Sequence, residues 1–246
     1  MDLHAVLDDA ATAIAEVLGA LDDWGLAGTR PGQYHSDIAA DAAAVELLVG
    51  HGLGVLSEET GRHHPERAVT VVLDPVDGST NASRGIPWFA TSLCAVDDEG
   101  PLAALVVNLA SKTVFRAERG AGATVDGAAL TPTAVTEMRR ALVALSGFPG
   151  AWLGWHQYRA LGAAALDLCA VAAGVVDAYM DCSWDAHGPW DYLGGMLVCT
   201  EAGASVVDAQ GRDLVVLDHD ARRTPVAAGN GALLDEVLAA RRTVDR

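Results

Sequence analysis

The 246-residue chain contains a single lysine, Lys112, and arginine supplies the rest of its basic charge. Sixteen basic residues against 33 acidic ones leave a formal charge of −17. The surface therefore lacks the basic character that non-specific binding to nucleic acid or to anionic membranes requires. Anionic small-molecule substrates stay open, because bound cations can reverse a local field. Cysteine is scarce too: Cys94, Cys169, Cys182 and Cys199 stand singly, with no C-x-x-C pair. That spacing argues against a disulfide framework or a zinc site and for reduced thiols in or near a core. No apolar run reaches the roughly 18 residues of a membrane-crossing helix. The opening MDLHAVLDDAATAIAEVL carries acids through its apolar positions, unlike a secretory signal. The expected compartment is the cytoplasm. What the chain does have is apolar content, 51% hydrophobic residues with a mean hydropathy of +0.23, enough for a substantial globular core.

Repeats and low-complexity linkers are absent, so residues 1–246 read as one compact domain. Its two lobes, 1–132 and 133–246, are expected to meet near Thr131-Pro132-Thr133. Apolar residues recur at helical spacing from Leu3 to Leu21 and from Asp37 to Val49. The runs LGVLS, VTVVL, WFATSLCAV, LAALVVNLA and TVFRAER, separated by Gly, Pro and acidic turn residues, predict a mainly antiparallel sheet. Beyond Pro132 the pattern alternates: strand ALVALS, a helix from Arg159 to Ala173, strand VDAYM, a helix from Trp190 to Ala202, strands ASVVD and TPVAAG, and a helix from Ala232 to Arg241. Gly174 and Gly203 stand at expected helix stops. The fold class is α+β, with helices and sheets in layers.

The stretch TVVLDPVDGSTN carries the chemistry. Asp74 closes an apolar strand, and Pro75 after it keeps Asp74 extended as the chain leaves the sheet. Asp77 lies in the turn, Gly78 allows unusual backbone angles, and Ser79, Thr80 and Asn81 suit the start of a short helix, whose free amides attract an anion. Two carboxylates facing an anion repel it unless cations lie between, an arrangement that points to Mg²⁺ bridging carboxylates and phosphate. SEE places Glu58 and Glu59 at the end of another apolar strand, and PWDYLGG places Asp191 in the first turn of a helix. Unneutralised carboxylates about 4 Å apart repel by roughly 4 kcal/mol per pair at an effective dielectric near 20, so a protein that gathers several of them usually binds metal there.

In this order, SEE, DPVDGSTN and WDYLGG resemble the inositol monophosphatase family of Mg²⁺-dependent phosphatases, as do GAGATVDG and RALGAAALDLCAVAAGVVDAY. The resemblance implies an αβαβα layered sandwich, one catalytic domain with most metal ligands in the first lobe and Asp191 with the substrate side in the second. Glu58, Asp74 and the Val76 carbonyl would hold one Mg²⁺, and Asp74, Asp77 and Asp191 a second. A third, weak metal site stays open, because the lysine and threonine usual near the metals are missing from GQYHSDIAADAAAVELL. Gly78 and Ser79 would receive the phosphate. Ser79, where the family often has threonine, and Glu58 would orient the attacking water, with Asp41 as the acidic partner of the hydroxyl and Asp37 as a competitor for that role. Asp77, Ala164, Asp181 and Asp191 would line the substrate side. The implied partners are a small phosphorylated metabolite and a second copy of the chain in a homodimer.

Several residues carry plainer readings. Asp181 either binds a substrate hydroxyl or amine or ends its strand in water. His187 reads as a surface or packing residue, His63-His64 as an exposed turn, and Trp152, Trp155 and Trp190 as packing residues. Arg159 reads as a rim residue or a salt-bridge partner. The short segment SGFPGAWLGWHQYRALG is expected to replace a helix by a loop near the substrate mouth. The leading function is a phosphomonoesterase acting on an inositol, histidinol, sugar or nucleotide phosphate. The alternative is a non-catalytic member of the family acting as a regulatory binding protein, which the intact acidic set disfavours.

Overall fold

The structure is a computed structural model and describes residues 1–244. Two helices open the chain, α1 (Leu3–Gly19) and α2 (His35–Gly50). Asp2 starts α1 by accepting a hydrogen bond from the Ala5 amide at 3.2 Å, which satisfies a donor the helix leaves unpaired. At the start of α2 the Asp37 carboxylate reaches back to the Tyr34 amide at 2.9 Å. Small alanines on the inner faces allow close approach. Leu7, Ala10 and Ile14 of α1 and Ala40, Ala44 and Leu48 of α2 pack in one cluster with Val71, Leu73, Leu93 and Leu105.

Those last residues belong to a sheet built from β1 (Gly54–Ser57), β2 (Gly61–His63), β3 (Thr70–Asp77), β4 (Ala90–Asp97), β5 (Gly100–Asn108), β6 (Val114–Glu118), β7 (Gly122–Val125) and β8 (Ala128–Ala129), with the short helix α3 (Ser79–Arg84) between β3 and β4. Its strand order is β2-β1-β3-β4-β5-β6-β7-β8. β1 and β3 run parallel and the other neighbours antiparallel. A second sheet, in the order β10-β9-β11-β13-β12, contains β9 (Leu142–Ser146), β10 (Gln157–Arg159), β11 (Ala178–Asp181), β12 (Ser205–Asp208) and β13 (Pro225–Ala228). Between the sheets lie α4 (Ala164–Ala172) and α5 (Pro189–Ala202), whose Leu168, Leu193 and Val198 share a core with Val106 of the first sheet and Tyr179 of the second. On the outer face α6 (Gly231–Arg241) packs Leu233 and Val237 against Val143 and Met180. The layers are αβαβα. No helix among the described residues is long and apolar enough to cross a membrane, and all four cysteines are buried and unpaired.

The differences from the sequence reading are local. The helix expected from Arg159 begins only at Ala164, because Gln157–Arg159 pair in parallel with β9 and Gly162, at φ 88°, turns the chain between the two. The strand expected from Trp88 begins at Ala90, and α1 stops at Gly19 rather than Leu21. Strands β2, β7, β8 and β10 are too short or too exposed for alternation to mark them. The segment before α4 contains β10 and turns but no helix, as its length implies.

Contact between α4 and α5 depends on glycine. A Cβ at Gly195 would lie 2.6 Å from the Leu168 Cβ and 2.9 Å from the Ala165 carbonyl oxygen. Overpacking of this kind costs about 1–3 kcal/mol, against a helix-propensity gain of at most about 1 kcal/mol for alanine. Gly195→Ala is therefore expected to melt a few degrees below the wild type. A thermal scan showing equal or higher stability would mean that the two helices have room to separate.

Candidate active site

β3 is buried along its whole length, and its end departs from regular pairing. Asp74 lies opposite Ser92 and Asp77 opposite Ala90, so one extra residue bulges out between them. Pro75 has no amide for the ladder, its carbonyl accepts the Thr91 hydroxyl at 2.9 Å, and the Val76 amide turns back to Asp74 Oδ1 at 3.0 Å. The bulge thus brings Asp74 and Asp77 to one end of the sheet. Gly78 follows at φ 86°, and a Cβ there would meet the Trp88 and Gly162 carbonyl oxygens at 3.1 Å. Both the backbone angle and the space call for glycine.

Asp191 arrives from the first turn of α5, where its Oδ2 accepts the Gly188 amide at 2.7 Å. Asp74, Asp77 and Asp191 each offer a carboxylate oxygen within 4.8 Å of the others. Glu58, just beyond β1, faces the same cluster. Burial, then the charges of Asp191 and Glu59, push its carboxyl well above the usual range. Burial likewise raises Asp74, reinforced by Glu58, Asp77 and Asp191. It raises Asp77 too, with Asp191 adding to the effect and the Ala165 amide, 2.7 Å from Asp77 Oδ2, opposing it. Buried acids that repel one another, with oxygens at this spacing, fit a hard divalent cation.

Around the cluster the sequence-derived residues fall into place unequally. The Ser79 hydroxyl donates to the Val76 carbonyl at 2.9 Å, and Asp37 lies near it, its carboxyl raised by burial with the Tyr34 amide and Ser79 opposing. Asp41 does not partner Ser79. It is buried one helical turn further along α2 and accepts the Ser57 hydroxyl, because the residue nearer Ser79 is Asp37 in the first turn of the helix. The Ser57 oxygen in turn accepts the Glu59 amide at 2.9 Å, so Asp41 braces the turn that carries Glu58. Ala164 is the first residue of α4, next to the amide that Asp77 takes. Asp181 ends β11 fully buried, not in water: Oδ1 accepts the Ser183 amide at 2.8 Å and Oδ2 has no hydrogen-bond partner.

His187 is the residue that sequence reasoning missed. Far from a surface position, it stands between Asp181 and Asp191, with Nε2 3.7 Å from Asp181 Oδ2 and Nδ1 3.4 Å from Asp191 Oδ2. Nε2 also lies 3.2 Å from the Tyr179 and Ser146 hydroxyls. Burial lowers its pKa, but the hydrogen bond and charge of Asp191 and the charge of Asp181 prevail and lift it to about 9. Only its place four residues before Asp191 could have signalled this. Asp167 is a second such residue: burial raises it to about 7 despite the Trp88 indole N–H at 2.8 Å. Trp155 and Trp190 are buried as packing residues should be, whereas Trp152 is 71% exposed. Arg159 is exposed and bonds the Tyr158 carbonyl instead of an acid.

A bulged strand end and two helix starts, bringing buried carboxylates together between layered sheets, define a metal-dependent phosphatase class. The model of the inositol monophosphatase family matches residues 40–246. A fructose-1,6-bisphosphatase/inositol-1-monophosphatase of Thermococcus kodakarensis is 34% identical over 210 residues, covering 83% of this chain and 80% of its own. An inositol-1-monophosphatase of Mycobacterium bovis is 38% identical over 200 residues, covering 72% and 63%. The solved structure of an inositol monophosphatase-fructose 1,6-bisphosphatase superposes with a TM-score of 0.88 at 25% identity, covering 98% of this chain and all of the other. The chain belongs to the inositol monophosphatase family and is a phosphoric monoester hydrolase.

The shifts fix how stability without metal depends on pH. Glu58, Asp74 and Asp77 are raised, as are Asp167 to about 7 and Asp181 to about 6. For each, the folded state holds its proton more tightly than an unfolded carboxyl near pH 4, so its contribution is complete below that pH and is lost as pH rises through the folded value. His187, raised from 6.5 to about 9, acts in the same direction: its contribution is complete below about pH 6.5 and disappears towards pH 9. Chelator-treated protein should therefore melt progressively lower from about pH 5 to pH 9. A flat or rising profile would contradict the placement of these groups.

Proposed function

We propose that the chain is a Mg²⁺-dependent phosphomonoesterase of small phosphorylated metabolites, and the observation that carries this reading is the convergence of Asp74, Asp77 and Asp191. Glu58, Asp74 and the Val76 carbonyl would hold one ion, and Asp74, Asp77 and Asp191 a second. Bound there, the cations would lower the pKa of the attacking water and neutralise charge on the leaving oxygen. The chain's own groups do the rest. Ser79, beside Asp37 and held by the Val76 carbonyl, orients the water, and Glu58, facing the same cluster, takes its proton. Gly78 and Ser79 present amides to the phosphate, while Ala164 and Asp181 face the leaving group. The names of the relatives make inositol 1-phosphate and fructose 1,6-bisphosphate the first substrates to try. Family likeness supports a homodimer.

Phosphate release from these two esters, with Mg²⁺ and with chelator, tests the reading. Release that requires the metal is expected. No release from a broad panel of monoesters by Mg²⁺-loaded protein would favour a regulatory binding protein. Glu58→Gln and Ser79→Ala should each lower kcat by roughly 10²–10⁴-fold.

The two aspartates of α2 separate by their effects. Asp37→Asn should lower kcat with little change in melting temperature. Asp41→Asn, which disturbs a buried hydrogen bond to Ser57, should chiefly lower the melting temperature. Equal kcat losses at unchanged stability would undo the distinction.

A further inference from the structure

Glu58, Asp37 and Ser79 line a cleft of about 400 Å³ that also contains two arginines, Arg30 and Arg222. The two differ in charge balance. Arg30 is ion-paired with Glu59. Arg222 has no carboxylate within 4.0 Å among the described residues, in a chain where acids outnumber bases two to one. Arg159, Arg223 and Arg241 also lack such a partner, but Arg222 combines that lack with a place in the cleft beside Glu58.

Its placement is well defined. The Arg222 guanidinium lies 5.1 Å from the centre of the Trp190 ring, a cation–π contact that holds the head against the residue preceding Asp191. Nη1 donates to the His219 carbonyl at 2.8 Å and the Ala221 carbonyl at 2.9 Å. The His219 ring stacks on Trp190 at 4.9 Å and bonds the Glu58 carbonyl at 3.0 Å, which ties the turn from His219 to Arg222 to the strand end that carries Glu58. The half-buried head is thus preorganised, while Nε and Nη2 make no hydrogen bond to the described residues. Two free N–H groups on one planar fork match the oxygens of a phosphate or carboxylate.

We propose that Arg222 is a specificity-determining residue that receives a second, non-reacting phosphate of the substrate, so that the enzyme favours bisphosphates over monophosphates. The proposal rests on the phosphatase reading above. Arg30 shares the cleft but is ion-paired with Glu59, so discrimination falls mainly to Arg222.

Fructose 1,6-bisphosphate and fructose 1-phosphate share a reacting ester and differ in the second phosphate. In Arg222→Leu the ratio of their kcat/KM values is expected to fall at least tenfold. Arg222→Lys, which keeps the charge but loses the fork, should fall less. The same comparison by calorimetry on a Ser79→Ala background, where turnover is slowed, should show bisphosphate binding weakened at least tenfold by Arg222→Leu, at unchanged melting temperature. A ratio and an affinity both within twofold of the parent would overturn the proposal while leaving the phosphatase intact. If neither ester is hydrolysed by the parent, calorimetry decides: weakened bisphosphate binding upholds Arg222 as an anion site, and unchanged binding removes it, while the broad panel of monoesters decides the phosphatase reading.

Discussion

Repulsion among buried carboxylates is the constraint on which this structure turns. Asp74 and Asp77 are almost fully enclosed, Asp191 enters the same space, and Glu58 faces it from a neighbouring strand end. Left ionised and unneutralised, such groups oppose folding by several kcal/mol. The chain cannot relieve this by moving one of them away, because each is fixed by backbone: Asp74 by the Val76 amide, Asp77 by the Ala165 amide and Asp191 by the Gly188 amide. Holding like charges together in the absence of their counter-ion creates a strong preference for cations, and it makes metal binding and stability two sides of one free energy.

The layers around the cluster serve that placement. α2 supplies Asp37 to Ser79 and, one turn later, Asp41 to the Ser57 hydroxyl that shapes the turn carrying Glu58. α4 and α5 lie between the sheets at a separation set by Gly195, and their starts deliver the Ala165 amide and Asp191. Asn81 of α3 reaches the Trp88 and Leu161 carbonyls, each at 2.7 Å, and so joins the motif after β3 to the approach to α4. A shift in the middle layer would therefore be felt at the carboxylates before it was felt in the outer sheets.

Part of the acidic core was legible because it is local in sequence, Asp74, Pro75, Asp77, Gly78 and Ser79 lying in one run, whereas Glu58 and Asp191 were linked to it only through the family resemblance. What depended on tertiary approach was not. His187 looks like any polar loop residue until β11 and α5 place Asp181 and Asp191 on either side of it. Choosing between Asp37 and Asp41 needed the rotation of α2 relative to α3, which spacing along one helix cannot supply. The fold shows the same division. Long apolar strands and helices were readable by period, while β10, three exposed residues in parallel pairing, displaced the expected start of α4 by five residues.

Net charge and substrate charge can now be reconciled. A chain at −17 should repel a phosphate ester at long range, and the cleft itself contains Glu58, Glu59 and Asp37. Field reversal must therefore be local. Cations held at the carboxylate cluster would provide it at the reacting end, and His187 stands between Asp191 and Asp181 on the side of the second sheet. Beside that cluster Trp190 and the His219 and Ala221 carbonyls hold a guanidinium in the adjoining cleft. With cations bound, positive charge would be concentrated within the cleft, while the acidic exterior weakens long-range attraction of large polyanions.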